Sequence, residues 1–83
     1  MTNSQKIEMY HKLITRDSMQ ALNKYHSKKM DLIEFLDIYS MQYARFLDMC
    51  DLVSEGRTPK QDELIGICER AVDDMRDILV SHL

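Results

Sequence analysis

Only two glycines and one proline occur among the 83 residues, which leaves few positions where the backbone can turn sharply. Nowhere do about 18 apolar residues run together, which excludes a bilayer-spanning helix. The opening stretch MTNSQKIEMYHK lacks the apolar core of a secretory signal. These absences give the expectation of a cytoplasmic protein. Cysteine is limited to Cys50 and Cys68, both on apolar helix faces, and they are read as small core residues rather than as a bridge. With the second and third helices reflected about their connection, the two sulfurs are staggered by about four residues, roughly 6 Å, across an interaxial gap of about 8–10 Å, too far for a disulfide.

The recurrent chemical signatures are also missing. There is no Gly-rich phosphate loop, no Cys-x-x-Cys, no His-Glu-x-x-His and no Gly-x-Ser-x-Gly. His11, His26 and His82 are far apart in the chain, so no two have the close helical spacing of a metal pair. Asp73, Asp74 and Asp77 cluster on the third helix with Arg70 and Arg76 within reach, the pattern of a solvated, ion-paired face. Neither cysteine has a neighbouring base to activate it. Helical chorismate mutases of similar length hold a dicarboxylate with several inward basic residues. Here Arg45, Arg70 and Arg76 fall on polar faces and Arg16 stands alone on the first helix, so that pattern is not met. The expectation is a non-enzymatic protein with no cofactor and no metal.

What is present is helical periodicity. Hydrophobic residues make up 45% and charged residues 30% of the chain, the balance of a globular chain rather than a disordered one. At this length one domain, residues 1–83, is expected, and its core is small. Three long antiparallel helices are read at about 4–25, 31–55 and 58–82, forming a small all-α bundle. The second organises the rest. Leu32, Leu36, Tyr39, Tyr43, Phe46, Cys50 and Val53 recur at spacings of four and three along one seam, with Phe35, Ile38, Leu47 and Met49 widening it to about half the circumference. A sector that wide needs two covering partners. The remaining strip carries Glu34, Asp37, Asp48, Asp51 and Glu55 against Arg45 alone.

The first helix is read from a cap at Asn3 or Ser4 with Ile7, Tyr10, Ile14, Ala21 and Tyr25 on its stripe, and Ser18 where a large residue is missing. The break after it is argued from Asp31 and Glu34, which have N-cap and N3 spacing. A continuous helix over 4–55 is the alternative, because His26-Ser27-Lys28-Lys29 contains no breaker. Gly56 is read as the residue ending the second helix. Thr58-Pro59-Lys60-Gln61 then gives a complete helix start, with Thr at the cap, Pro at the first position and Gln closing a capping box. Leu64, Cys68, Ala71, Met75 and Ile78 form the third seam. Gly66, off that seam, implies either a close-packed neighbour or plain tolerance.

Charge is unevenly spread. Residues 1–30 hold six Lys/Arg against two acidic residues, whereas residues 31–83 hold five against twelve. Lys12, Arg16, Lys24, His26, Lys28 and Lys29 are therefore the candidate partner-binding set, offered to an acidic segment. Direct binding of nucleic acid by the Lys24–Lys29 corner is the weaker alternative, since the rest of the chain is acidic. A membrane surface is disfavoured by the lack of Trp or Phe anchors on the first helix. The packing set, for the core or for a dimer, is Leu32, Leu36, Tyr39, Tyr43, Phe46, Cys50, Leu64, Cys68, Met75 and Ile78. Seven methionines and long thin helices favour a homodimer built by helix packing. The expected function is binding of another protein as an accessory regulator, inhibitor or chaperone-like adaptor. No motif assigns the chain to a family; a phage-type accessory regulator, such as a lysis-inhibition protein acting on the cytoplasmic segment of a membrane-protein partner, stands as an alternative function.

Overall fold

A computed structural model describes residues 1–82; Leu83, the last residue of the expected domain, lies outside the described residues. Three helices follow in order: α1 at Asn3–His26, α2 at Leu32–Leu52 and α3 at Pro59–Val80. Each packs on both others in a bundle of 39 × 22 × 17 Å.

Each helix start has a local cause. The α1 cap is Thr2, one residue ahead of the expected Asn3 or Ser4: Gln5 N donates to Thr2 Oγ1 at 3.2 Å and Thr2 N donates to Gln5 Oε1 at 2.8 Å. Asp31 caps α2 by accepting from Glu34 N at 2.8 Å. The Thr58–Gln61 capping box closes as expected, at 3.1 and 3.0 Å. Two N–H groups that lack partners in the first turn are thereby satisfied at the start of both α1 and α3.

The continuous-helix alternative is overturned by the turn between α1 and α2. Lys28 adopts φ 61°, Lys29 N donates to Lys24 O at 2.8 Å and Lys28 N to Tyr25 O at 3.1 Å. This is the paired closure that ends many helices, here with lysine where glycine is usual. At the other turn, α2 stops at Leu52 rather than near residue 55. The segment beyond it closes in tight turns: Val53 N donates to Cys50 O, Ser54 N to Asp51 O and Gly56 N to Val53 O. Asp48, Asp51 and Glu55 crowd the negative end of the helix dipole with no basic residue in the last turn, which disfavours a further helical turn. Gly56, expected to end α2 as its left-handed residue, instead lies three residues beyond the cap at Val53, with φ 142°.

The core falls into two clusters. The larger gathers Ile7, Ile14, Met49, Val53, Leu64, Ile65, Cys68 and Val72. The smaller, toward the α1–α2 turn, gathers Ala21, Phe35 and Met75. Between them lie two buried polar residues, Ser18 and Gln42, at 1% and 0% exposure. Gln42 Oε1 accepts from Arg45 Nη1 at 3.0 Å, and the same nitrogen donates to Asp17 Oδ2 at 2.7 Å. Arg45, expected on the acidic outer strip, is therefore half-buried between α1 and α2.

The expected α3 seam is confirmed, with Leu64, Cys68 and Met75 buried and Ala71 and Ile78 half-buried. On α2 the expected seam is corrected. Phe35, Gln42 and Met49 are its buried line, Tyr39, Phe46 and Cys50 are half-buried, and Leu32, Leu36 and Tyr43 are 36%, 47% and 43% exposed. The buried face is rotated by about a quarter turn, at about 100° per residue, because α1 docks on the far flank. Arg45 meets Asp17 there, Tyr10 Oη donates to Asp48 Oδ2 at 3.4 Å and Asn3 Nδ2 to Leu52 O at 3.3 Å.

Candidate protein interface

The rotation of α2 leaves one edge of its apolar sector uncovered. Ile33, Leu36, Ser40, Tyr43 and Leu47 follow at spacings of three, four, three and four, so they line up along one side of the helix. All five are exposed, Ile33 at 73% and Leu47 at 45%. The line starts one residue after Leu32 and is fixed to the core beneath it: Tyr43 stacks on half-buried Tyr39 with ring centroids 6.0 Å apart, and Tyr39 packs against both core clusters. Scattered exposed apolar residues are normal, but an ordered row of large ones marks an interaction surface.

The borders of this row are charged. On the open side α2 carries the exposed Asp37 and Asp51, while Glu34 and Asp48, also exposed, lie toward the α1 flank, where Tyr10 donates to Asp48. On the other side lies α3. Exposed Glu69 stands one helical turn after buried Ile65 on α3; burial raises the pKa of the Cys50 thiol, the charge of Arg57 lowers it, and those of Glu69 and Asp51 raise it. Arg57 is engaged by Asp62 at 3.1 Å, and Arg76 of α3 by Asp73 at 3.1 Å. Of the expected ion-paired face only the Asp73 to Arg76 pair forms; Asp74, Asp77 and Arg70 enter no ion pair among the described residues.

The six basic candidates separate into two groups. Lys24, His26, Lys28 and Lys29 stand together around the α1–α2 turn and all are exposed. Lys12 and Arg16 lie further back on α1, where the eight residues from Arg16 to Lys24 span about 12 Å of helix. Arg16 is taken up within the chain, its Nε donating to Asp17 Oδ1 at 2.9 Å. Hydrogen bonding from Arg45, and then the hydrogen bond and charge of Arg16, hold the Asp17 carboxyl below its ordinary pKa against the opposing effect of burial. A groove of about 210 Å³ beside this pair is lined by Asp17, Lys24, Ile38, Met41 and Gln42 among others.

The cysteines are both free. Burial, followed by the neighbouring Cys50, pushes the Cys68 thiol up to about 11, so at neutral pH it is protonated and a poor nucleophile. Glu8-Met9-Tyr10-His11 has Glu-x-x-His spacing, with Glu8 exposed and His11 half-buried. No group of three metal-binding side chains forms there or elsewhere among the described residues. No helix among them is long and apolar enough to cross a membrane.

The outward row on α2 is the feature that reading the sequence missed. The sequence reading puts Leu36 and Tyr43 in the packing set and Leu47 on the flank of the seam and gives Ile33 and Ser40 no place; the signal that could have revealed the row is the second four-three series, offset from the first and beginning at Ile33. No family model matches the chain, and neither a curated protein nor a solved structure is significantly similar to it.

Proposed function

We propose that the chain is a non-enzymatic protein-recognition module that holds a segment of another protein on the outer face of α2, as an accessory regulator, inhibitor or adaptor does. The observation that carries this reading is the row Ile33, Leu36, Ser40, Tyr43 and Leu47, exposed in a bundle whose other seams are covered. Helix-in-groove recognition uses anchors at this spacing.

A second reading rests on the basic turn. Lys24, Lys28 and Lys29 are exposed and form no intrachain ion pair among the described residues, so their charge is free for an acidic segment or a phosphate backbone. Binding there would weaken steeply with salt.

One set of variants separates the two. The purified chain is used to capture proteins from extracts of its source cells, alongside L36E/L47E and K24E/K28E/K29E variants of unchanged helical circular dichroism. A specific protein lost only with L36E/L47E supports the α2 face. Loss only with the lysine variant transfers the function to the turn. If neither variant changes what is captured, recognition by either surface is refuted.

A further inference from the structure

The occupant of the α2 row follows from the charges around it; this deepens the reading above and rests on it. We propose that the face is built for a basic amphipathic helix of a different protein, about four turns long, and not for a second copy of this chain. From Ile33 to Leu47 the row rises about 21 Å at 1.5 Å per residue, matching a partner helix of about 15 residues. Ser40 at its middle lets a partner approach closely between the larger side chains on either side.

The rim selects the sign of the partner's charge. On the open side, Asp37 and Asp51 lie immediately beside the row and are exposed, with no cation of α2 among them because Arg45 is turned inward onto Asp17; Asp48, one step further, accepts from Tyr10 of α1, whose Lys6 is the single cationic side chain lining the same hollow as Asp48 and Asp51. On the α3 side the cations are already occupied, Arg57 by Asp62 and Arg76 by Asp73. A partner that fills the row with leucines and flanks them with Lys or Arg meets the acidic side chains on the open flank. Flanking charges of this kind decide which helices pair.

The same charges disfavour self-pairing. In an antiparallel pair of α2 helices the open flanks face one another, setting Asp37 and Asp51 against their own counterparts. In a parallel pair that flank faces the Glu69 side of the second copy. The antiparallel arrangement brings like charges together with no cation of α2 to offset them, and in the parallel one the second copy's Arg57 and Arg76 are already paired with Asp62 and Asp73, which leaves Glu69 toward the acidic flank.

The test uses the full chain with synthetic 15-residue amphipathic helices that share one leucine seam and differ only in flanks of Lys or of Glu. Binding is read by fluorescence anisotropy at low and high salt, and self-association by sedimentation equilibrium. The expected result is a monomeric chain that binds the Lys-flanked helix at least tenfold more tightly than the Glu-flanked one. That preference should shrink in salt and reverse in D37K/D51K, and binding should vanish in L36E. Equal binding of both helices, lost in L36E, would leave the recognition face standing and overturn its charge selection. A dimer that L36E dissociates would show the row to be self-covered and overturn the proposal. Failure of every helix to bind would overturn both.

Discussion

At the scale of single residues, the least expected feature is the Gln42 amide at the centre of the bundle. Its Nε2 and the Ser18 hydroxyl have no hydrogen-bond partner among the described residues. An unsatisfied buried donor costs about 1–3 kcal/mol, while Arg45, the residue served by the other end of the amide, keeps Asp17 at 2.7 Å without it. Gln42→Met fills a similar volume with no polar atom to satisfy. The variant is expected to be more stable by about 1 kcal/mol, read as a higher urea midpoint at unchanged m. Asp17 behaves in the opposite sense. Its folded pKa is depressed, so its contribution to stability is fully present above the unfolded carboxylate value of about 3.9 and is lost as pH falls through the folded value. Asp17→Asn should therefore be less stable than the wild type at pH 7, with the gap narrowing steadily below about pH 4 in parallel urea titrations.

At the scale of the helices, the starts were legible and the faces less so. Thr58, Pro59 and Gln61 specify the beginning of α3 by local hydrogen bonding alone, and Asp31 does the same for α2; such signals need nothing from the rest of the molecule. The end of α1 carries no such signal in its residue types, since a lysine occupies the left-handed position. The resulting strain gives a simple test. Lys28, at φ 61°, adopts a conformation that glycine takes without the Cβ penalty of about 1–2 kcal/mol, so Lys28→Gly should raise the thermal midpoint. Gly66 is the converse case: a Cβ built on it meets nothing within 4 Å. This answers the question of a close neighbour within the chain in favour of tolerance, and Gly66→Ala should gain about 0.5–1 kcal/mol from helix propensity. The face of α2 was misread for a physical reason. Its apolar residues cover half the circumference, so hydrophobic spacing alone could not decide which edge α1 and α3 would cover. The true centre of the buried face is occupied by a glutamine, which draws any reading by hydrophobicity toward Tyr43 beside it. The candidate interface was thus present in the sequence as residues but hidden as a surface, because it appears only once the docking of α1 is known.

At the scale of the whole molecule, the fold depends on few large side chains. Phe35 is fully buried in the smaller cluster with Ala21 and Met75 and packs against Tyr25, with ring centroids 5.0 Å apart. Tyr25 Oη in turn shares a hydrogen bond with His82 Nε2, tying the end of α1 to the segment after α3. Phe35→Ala should cost about 3–5 kcal/mol in urea unfolding, a large part of what a domain of this size possesses. Half-buried Phe46 should cost distinctly less, which reverses the ranking that the sequence suggests.

The polar layer of Ser18, Gln42, Arg45 and Asp17 also bears on uniqueness. Apolar side chains in a helical bundle tolerate sliding, since one leucine can replace another a turn away, a shift of about 5.4 Å. The Asp17 to Arg45 pair does not, because displacing α1 along α2 by one turn would strand both charges partly inside the core. The layer thus acts as a register pin that discards misaligned packings at some expense of stability. Replacing Ser18, Gln42 and Arg45 together with apolar residues, and Asp17 with alanine, should give a bundle that melts later yet shows broadened amide resonances, as its helices interconvert between alignments.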